Sequence, residues 1–138
     1  MSRLVVVDGD ELQFETQFGA RMVTPTGPAK INGSGHATIN GKRICVKGDE
    51  KKVTVQANYQ SGSYQGGQGI ITIKMLASDQ EAPRCTSGAA IILKGKKFTA
   101  LFTVTVPGTS PSGDADSSSP ESDGNGSFDV RQKFVTAG

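Results

Sequence analysis

The sequence has no tryptophan, one histidine, two cysteines and only 6% aromatic residues in 138. With so few large rings, the core must be small and built mainly from Val, Ile, Leu and Phe, enough for one compact domain. The single histidine, His36, leaves one side chain poised to act as a base near neutral pH. A Cys45 or Cys85 nucleophile paired with it is conceivable, and no activated-cysteine signature accompanies either thiol. Phosphate-loop and dinucleotide fingerprints are absent, so nucleotide chemistry has no support. No apolar run reaches 18 residues, and Met1 to Asp10 lacks the basic head, apolar stretch and small-residue cleavage site of a signal peptide. The expectation is a cytosolic product with reduced thiols. A closed zinc site takes four donors, and the soft candidates number three: His36, Cys45 and Cys85. His36 and Cys45 could be neighbours across a hairpin. The expectation is no resident cofactor; if zinc binds, these three residues are its candidates.

Glycine is abundant instead, with 18 residues, roughly twice the usual share of ~7%. Apolar runs are short and β-rich: Leu4 to Val7, Leu12 to Phe14, Ala37 to Ile39, Ile44 to Val46, Val53 to Ala57, Ile70 to Met75, Ile91 to Leu93 and Phe98 to Val106. In the last, Phe98, Ala100, Phe102, Val104 and Val106 alternate with Thr99, Leu101, Thr103 and Thr105, the period of a strand. Asn40-Gly41 suits a two-residue hairpin turn, and Lys94-Gly95 reads as a similar turn. No 3.6-residue period appears, so the fold class is all-β. Three segments run from an apolar strand into an acidic turn: LVVVDGDE at 4–11, ICVKGDE at 44–50 and IKMLASDQE at 73–81. They suggest pseudo-threefold construction.

The glycine-rich stretch 61–69 reads as a long loop. Residues 107–127 are almost wholly Ser, Gly, Pro, Asp and Glu and read as a linker. The expected organisation is a body at 1–106, that linker, and a docking segment at 128–138 in which Phe128, Val130 and Phe134 bind the body's edge or a partner. The net charge of +2 hides an imbalance, because the acids Asp114, Asp116, Glu121, Asp123 and Asp129 crowd the last quarter and leave the body basic. Lys94, Lys96 and Lys97 at a turn, with Tyr59 and Tyr64, keep open an alternative: a small β-barrel module binding nucleic acid or another ligand.

The stretch GPAKINGSGHATINGKRICVKGD at 27–49, followed by Gly69 to Leu76 and by Ile91 to Phe98, resembles the PAAR-repeat superfamily over residues 5 to 106. The resemblance implies a small glycine-rich cone of short strands and hairpins that caps a trimeric β-helical spike, one copy per trimer, in type VI secretion systems, contractile phage tails and related particles. It further implies a structural, non-enzymatic role in piercing a target envelope. The partners would be the spike trimer, an effector or baseplate component, and transiently the target membrane, with no nucleic acid. The chain would be made in the bacterial cytoplasm and leave on firing. Lys42-Arg43-Ile44-Cys45 stands where the superfamily has Pro-Ala-Ala-Arg, and His36 alone cannot reproduce the superfamily's histidine-rich zinc site.

Overall fold

The computed structural model describes residues 3–35, 37–39, 41–82, 90–117, 120–130 and 136–137. They form a nearly all-β chain. In order, the strands are β1 (Arg3–Leu4), β2 (Glu11–Phe14), β3 (Gln17–Phe18), β4 (Arg21–Pro25), β5 (Ala29–Lys30), β6 (Thr38–Ile39), β7 (Lys42–Arg43), β8 (Val55–Ser61), β9 (Tyr64–Met75), β10 (Glu81–Ala82), β11 (Ile91–Ile92), β12 (Phe98–Val106), β13 (Glu121–Asp129) and β14 (Thr136–Ala137). No helix among the described residues is long and apolar enough to cross a membrane.

Eight strands make one sheet in the order β3-β4-β8-β9-β12-β13-β2-β5, antiparallel throughout. Strands β2 and β3 are separated only by Glu15 and Thr16, yet they lie towards opposite ends of that order. The chain between them changes partner: the Glu15 N–H donates to Asn125 O at 2.8 Å, and Thr16 O accepts from the Val23 N–H at 2.8 Å. One bent segment therefore draws the two sides together and curls the sheet strongly into a half-barrel. The result is three hairpins, residues 11–25, β8–β9 and β12–β13, joined cyclically through β4–β8, β9–β12 and β13–β2.

The alternation anticipated in β12 holds: Phe98, Ala100 and Phe102 are buried, while Thr99, Leu101 and Thr103 face outwards and are half-buried. Two expectations from composition fail. The stretch 61–69 is not a long loop, because β9 begins at Tyr64 and only Gly62 and Ser63 form the turn. Nor is 107–127 a free linker, because β13 starts at Glu121 and pairs with both β12 and β2. The physical reason is the same in both. The rings of Tyr59, Phe102, Phe18 and Phe98 lie against Gly67, Gly69, Gly124 and Gly126, and a methyl at any of these glycines would sit under 3.0 Å from a ring carbon. The glycines bury little surface of their own but admit rings from neighbouring strands, so their strands are held by partners rather than by composition.

Phe128 (1% exposed) and Val130 (5%) belong to the main core. Their side chains lie in the body's own core rather than on a face open to solvent. Phe134 lies outside the described residues.

Candidate functional site

At one end of the half-barrel three short segments, 4–7, 43–46 and 90–93, close into a ring. Its inner bonds are cyclic: the Val6 N–H donates to Ile92 O (3.0 Å), the Ile92 N–H to Cys45 O (2.9 Å), and the Cys45 N–H to Val6 O (2.8 Å). A second cyclic set seals the three seams: Asp8 N–H to Arg43 O (2.7 Å), Lys47 N–H to Ala90 O (2.8 Å) and Lys94 N–H to Leu4 O (2.8 Å). The bridges Val5↔Leu93, Val7↔Ile44 and Val46↔Ile91 complete the same rotation. Each segment leads towards the first strand of a hairpin, so ring and half-barrel share one pseudo-threefold axis.

Alternation of side chains across the segments divides the ring's apolar residues between two clusters. Val6, Cys45 and Ile92, all 0% exposed, join the main core. Val5, Val7, Ile44, Val46 and Leu93 form a second, smaller cluster with Ile39 and Ile91 packed against it. The protein's apolar interior thus narrows from the half-barrel through the ring to this second cluster.

Each segment turns on an apolar-X-Gly-X pattern: Val7-Asp8-Gly9-Asp10, Val46-Lys47-Gly48-Asp49 and Leu93-Lys94-Gly95-Lys96. The three glycines have φ of 86°, 112° and 50°, a backbone region that side-chain-bearing residues rarely adopt. In the first two turns the buried carboxylate reaches back to cap the strand: Asp10 Oδ2 accepts from the Val7 N–H and Asp49 Oδ2 from the Val46 N–H, both at 2.9 Å. The third turn has Lys96 at the carboxylate position, and Gln80 O accepts from the Leu93 N–H instead (2.9 Å). The segment at 73–81 is therefore not the third copy. The third copy is 90–96, hidden because it lacks the acid that marks the other two; aligning on the glycine would have found it.

The acids of this end are turned inwards. Asp8 Oδ1 accepts from the Gly33 N–H (2.8 Å), Asp49 also accepts from Ser34 N–H and O–H (3.0 and 2.6 Å), and Glu50 Oε1 accepts from the Gly48 N–H (2.6 Å). The bases point out: Lys42, Arg43, Lys47 and Lys94 are all exposed, and only Lys47 has an ion pair among the described residues, with Glu81 at 2.9 Å. That hydrogen-bonded carboxylate holds the Lys47 ammonium above its ordinary pKa.

Of the candidate metal donors, Cys45 is sealed in the ring against the main core, while His36 and Cys85 lie outside the described residues. Among the described residues no group of three or more His, Cys, Asp or Glu is placed to hold a metal. Tyr59, considered for base stacking, is 3% exposed under the half-barrel's surface.

Burial, reinforced by the charges of Asp49, Asp10 and Asp8, pushes the Cys45 thiol far above its ordinary value of 9.0. Burial raises the Tyr59 phenol above 10.0 as well. Both groups hold their protons more tightly when folded, so their contribution to stability is complete below the unfolded values and declines as pH rises past them. Between pH 7.5 and 9.8 the thiol alone should remove about 1 kcal/mol. Urea unfolding of Cys45→Ala at the two pH values should show a loss smaller by that amount; equal losses in both proteins would show that the thiol ionises freely in the fold.

No curated protein matches the sequence. The family described as contractile injection system spike tip protein matches it over residues 1–138. That assignment agrees with the nearly all-β fold and with the earlier resemblance, and the chain belongs to the contractile injection system spike tip family.

Proposed function

We propose that the chain caps a trimeric β-helical spike, one copy per trimer, and leads it through the target envelope when the particle fires. The observation that carries this reading is the cyclic hydrogen bonding of the ring. A homotrimer offers one surface three times, so a single chain can engage all three subunits only by repeating its own backbone around the same axis. The ring repeats its backbone in this way, with its inner N–H and C=O groups bonded to one another around the cycle. Membership of the family supports association with spike and baseplate components; an effector attached to the tip would travel with it. The role is structural rather than catalytic, in keeping with a thiol sealed from solvent at Cys45. Native mass spectrometry of the purified complex should give three spike chains to one tip chain. A ratio of three to three would reject the reading.

The same role needs no resident metal. With Cys45 committed to the core, His36 and Cys85 are the soft donors left, two short of a closed tetrahedral site. Chelation should shift Tm by less than about 2 °C, since a structural zinc would supply much of the folding free energy. A large drop, together with one equivalent of zinc by elemental analysis, would overturn this.

A further inference from the structure

The two ends of the half-barrel carry opposite charge. The hairpin end consists of the turns at Gly19 and Ala20 and at Gly62 and Ser63, with the connection 107–120. Residues 16–24, 58–69 and 103–122 contain one base, Arg21, which is buried and paired with Asp116. Asp114 and Glu121 are exposed there. At the ring end the balance reverses: Lys42, Arg43, Lys51, Lys52, Lys94 and Lys96 are exposed, and none has an ion pair among the described residues. Lys47, Lys74 and Lys97 are not counted with them, because Glu81, Asp123 and Glu15 already pair with their ammonium groups. The nearby acids are held by backbone: Asp49 and Glu50 accept from N–H groups of their own turn, and Asp79 Oδ2 accepts from the Lys96 N–H at 3.0 Å.

This charge does not follow the pseudo-threefold. Asp8, Lys47 and Lys94 share the position before the turn glycine, and residues 4–20 contain no base at all. The six unpaired bases therefore border two of the three ring segments, those at 43–46 and 90–93. A homotrimer presents one surface three times, which a two-sided basic patch does not match; an extended anionic layer has no symmetry to match. Met75 stands in the same patch, 65% exposed although Leu76 beside it is buried. Its cross-strand partner is Thr99, three residues beyond Lys96. On its other side the 3-10 turn Asp49–Lys52 packs against β9 and runs beside the end of that strand, since Val55 pairs with Ile71. Bases set around an exposed apolar side chain suit a headgroup layer, where phosphates meet the cations and the apolar group reaches the acyl boundary. The tyrosines that could stack on nucleic-acid bases are elsewhere: Tyr59 is buried, and Tyr64 adjoins the hairpin-end turn. The apolar interior also narrows towards the ring end. Resting on the spike-capping reading, we infer that the ring end leads, pointing away from the spike, and that its basic patch with Met75 binds the anionic headgroups of a lipid membrane.

The test uses the full chain, alone and bound to the purified spike trimer of the same particle, with vesicles of phosphatidylglycerol and phosphatidylcholine or of phosphatidylcholine alone. One variant combines Lys51→Gln, Lys52→Gln, Lys94→Gln and Lys96→Gln. A control of equal net charge combines Gln60→Glu, Ser63→Glu, Gln65→Glu and Gln68→Glu towards the hairpin end, and circular dichroism checks that both fold. Wild type should sediment with the anionic vesicles only, and less as salt rises above about 0.15 M. The lysine variant should bind at least about 30-fold more weakly, Met75→Ser about 5-fold more weakly, and the control within about 3-fold of wild type. Vesicle binding should persist in the complex with the trimer. Equal binding to both vesicle types, or equal weakening in the lysine variant and the control, would overturn the lipid contact. Binding to duplex DNA without binding to anionic vesicles would assign the bases to nucleic acid and overturn it too. If the trimer abolishes vesicle binding, the ring end faces the spike and the orientation fails although capping stands. If no complex with the trimer forms, the capping reading fails and the orientation with it, while the vesicle result still decides the lipid contact.

Discussion

A chain ending at Val106 is expected not to fold. Composition marks residues 107–138 as dispensable, but β13 is an interior strand of the sheet, paired with β12 from Phe98↔Gly126 to Thr103↔Glu121 and with β2 from Gly126↔Phe14 to Asp129↔Glu11. Its removal exposes the pairing edges of both neighbours and opens the cyclic arrangement of hairpins. It also takes Phe128 and Val130 out of the main core, where the Phe128 ring lies 5.0 Å from that of Phe98. Truncating one buried Phe to Ala costs about 3–5 kcal/mol, against a total stability of roughly 5–15 kcal/mol for a typical domain. The truncated chain should therefore show little near-ultraviolet circular dichroism and no cooperative melt, and Phe128→Ala alone should lower stability by several kcal/mol. A truncated chain melting within a few degrees of the full one would show that the sheet is complete without β13.

This outcome bears on what a reading of the sequence could reach. The strand at 98–106 was legible because its own side chains alternate, and the turns at Gly9 and Gly48 because each is followed by an acid. The strands at 64–69 and 121–127 were not, because their burial is supplied by rings from other strands: Tyr59 and Phe102 over Gly67 and Gly69, Phe18 and Phe98 over Gly124 and Gly126. No local window contains both partners. Two of the three ring segments were visible, and the third was mistaken for 73–81. The ring tolerates such drift because backbone groups make it. Val6, Cys45 and Ile92 share a position while differing in size and polarity, since each contributes one N–H and one C=O to the cycle. The carboxylate cap survives in two turns, and in the third Gln80 O satisfies the same donor, so Lys96 is tolerated where an acid would be expected.

The second large effect is expected at Asp116, another residue of the supposed linker. Asp116 Oδ2 accepts from the Tyr59 hydroxyl at 3.0 Å and lies 3.4 Å from Nη2 of Arg21; the two charged side chains are 2% and 5% exposed. The guanidinium stands 5.1 Å over the Tyr59 ring and donates to Ser122 Oγ, and the Asp116 N–H donates to Gly108 O at 2.8 Å. The cluster ties residues 107–117 to all three hairpins at once, through Arg21, Tyr59 and Ser122. Asp116→Ala leaves a buried cation without its carboxylate and should cost about 3–5 kcal/mol, whereas replacing both ions by apolar residues of similar volume removes the uncompensated charge. Arg21→Met combined with Asp116→Leu should therefore be less destabilising than the sum of the two single changes by at least about 1.5 kcal/mol in urea unfolding. Tyr59→Phe, which keeps the ring and deletes the hydroxyl, should cost about 1–3 kcal/mol by stranding the Gly108 N–H. If Asp116→Ala moved stability by less than about 0.5 kcal/mol, or the single changes simply added, the ion pair would not be what holds the connection across the hairpin end.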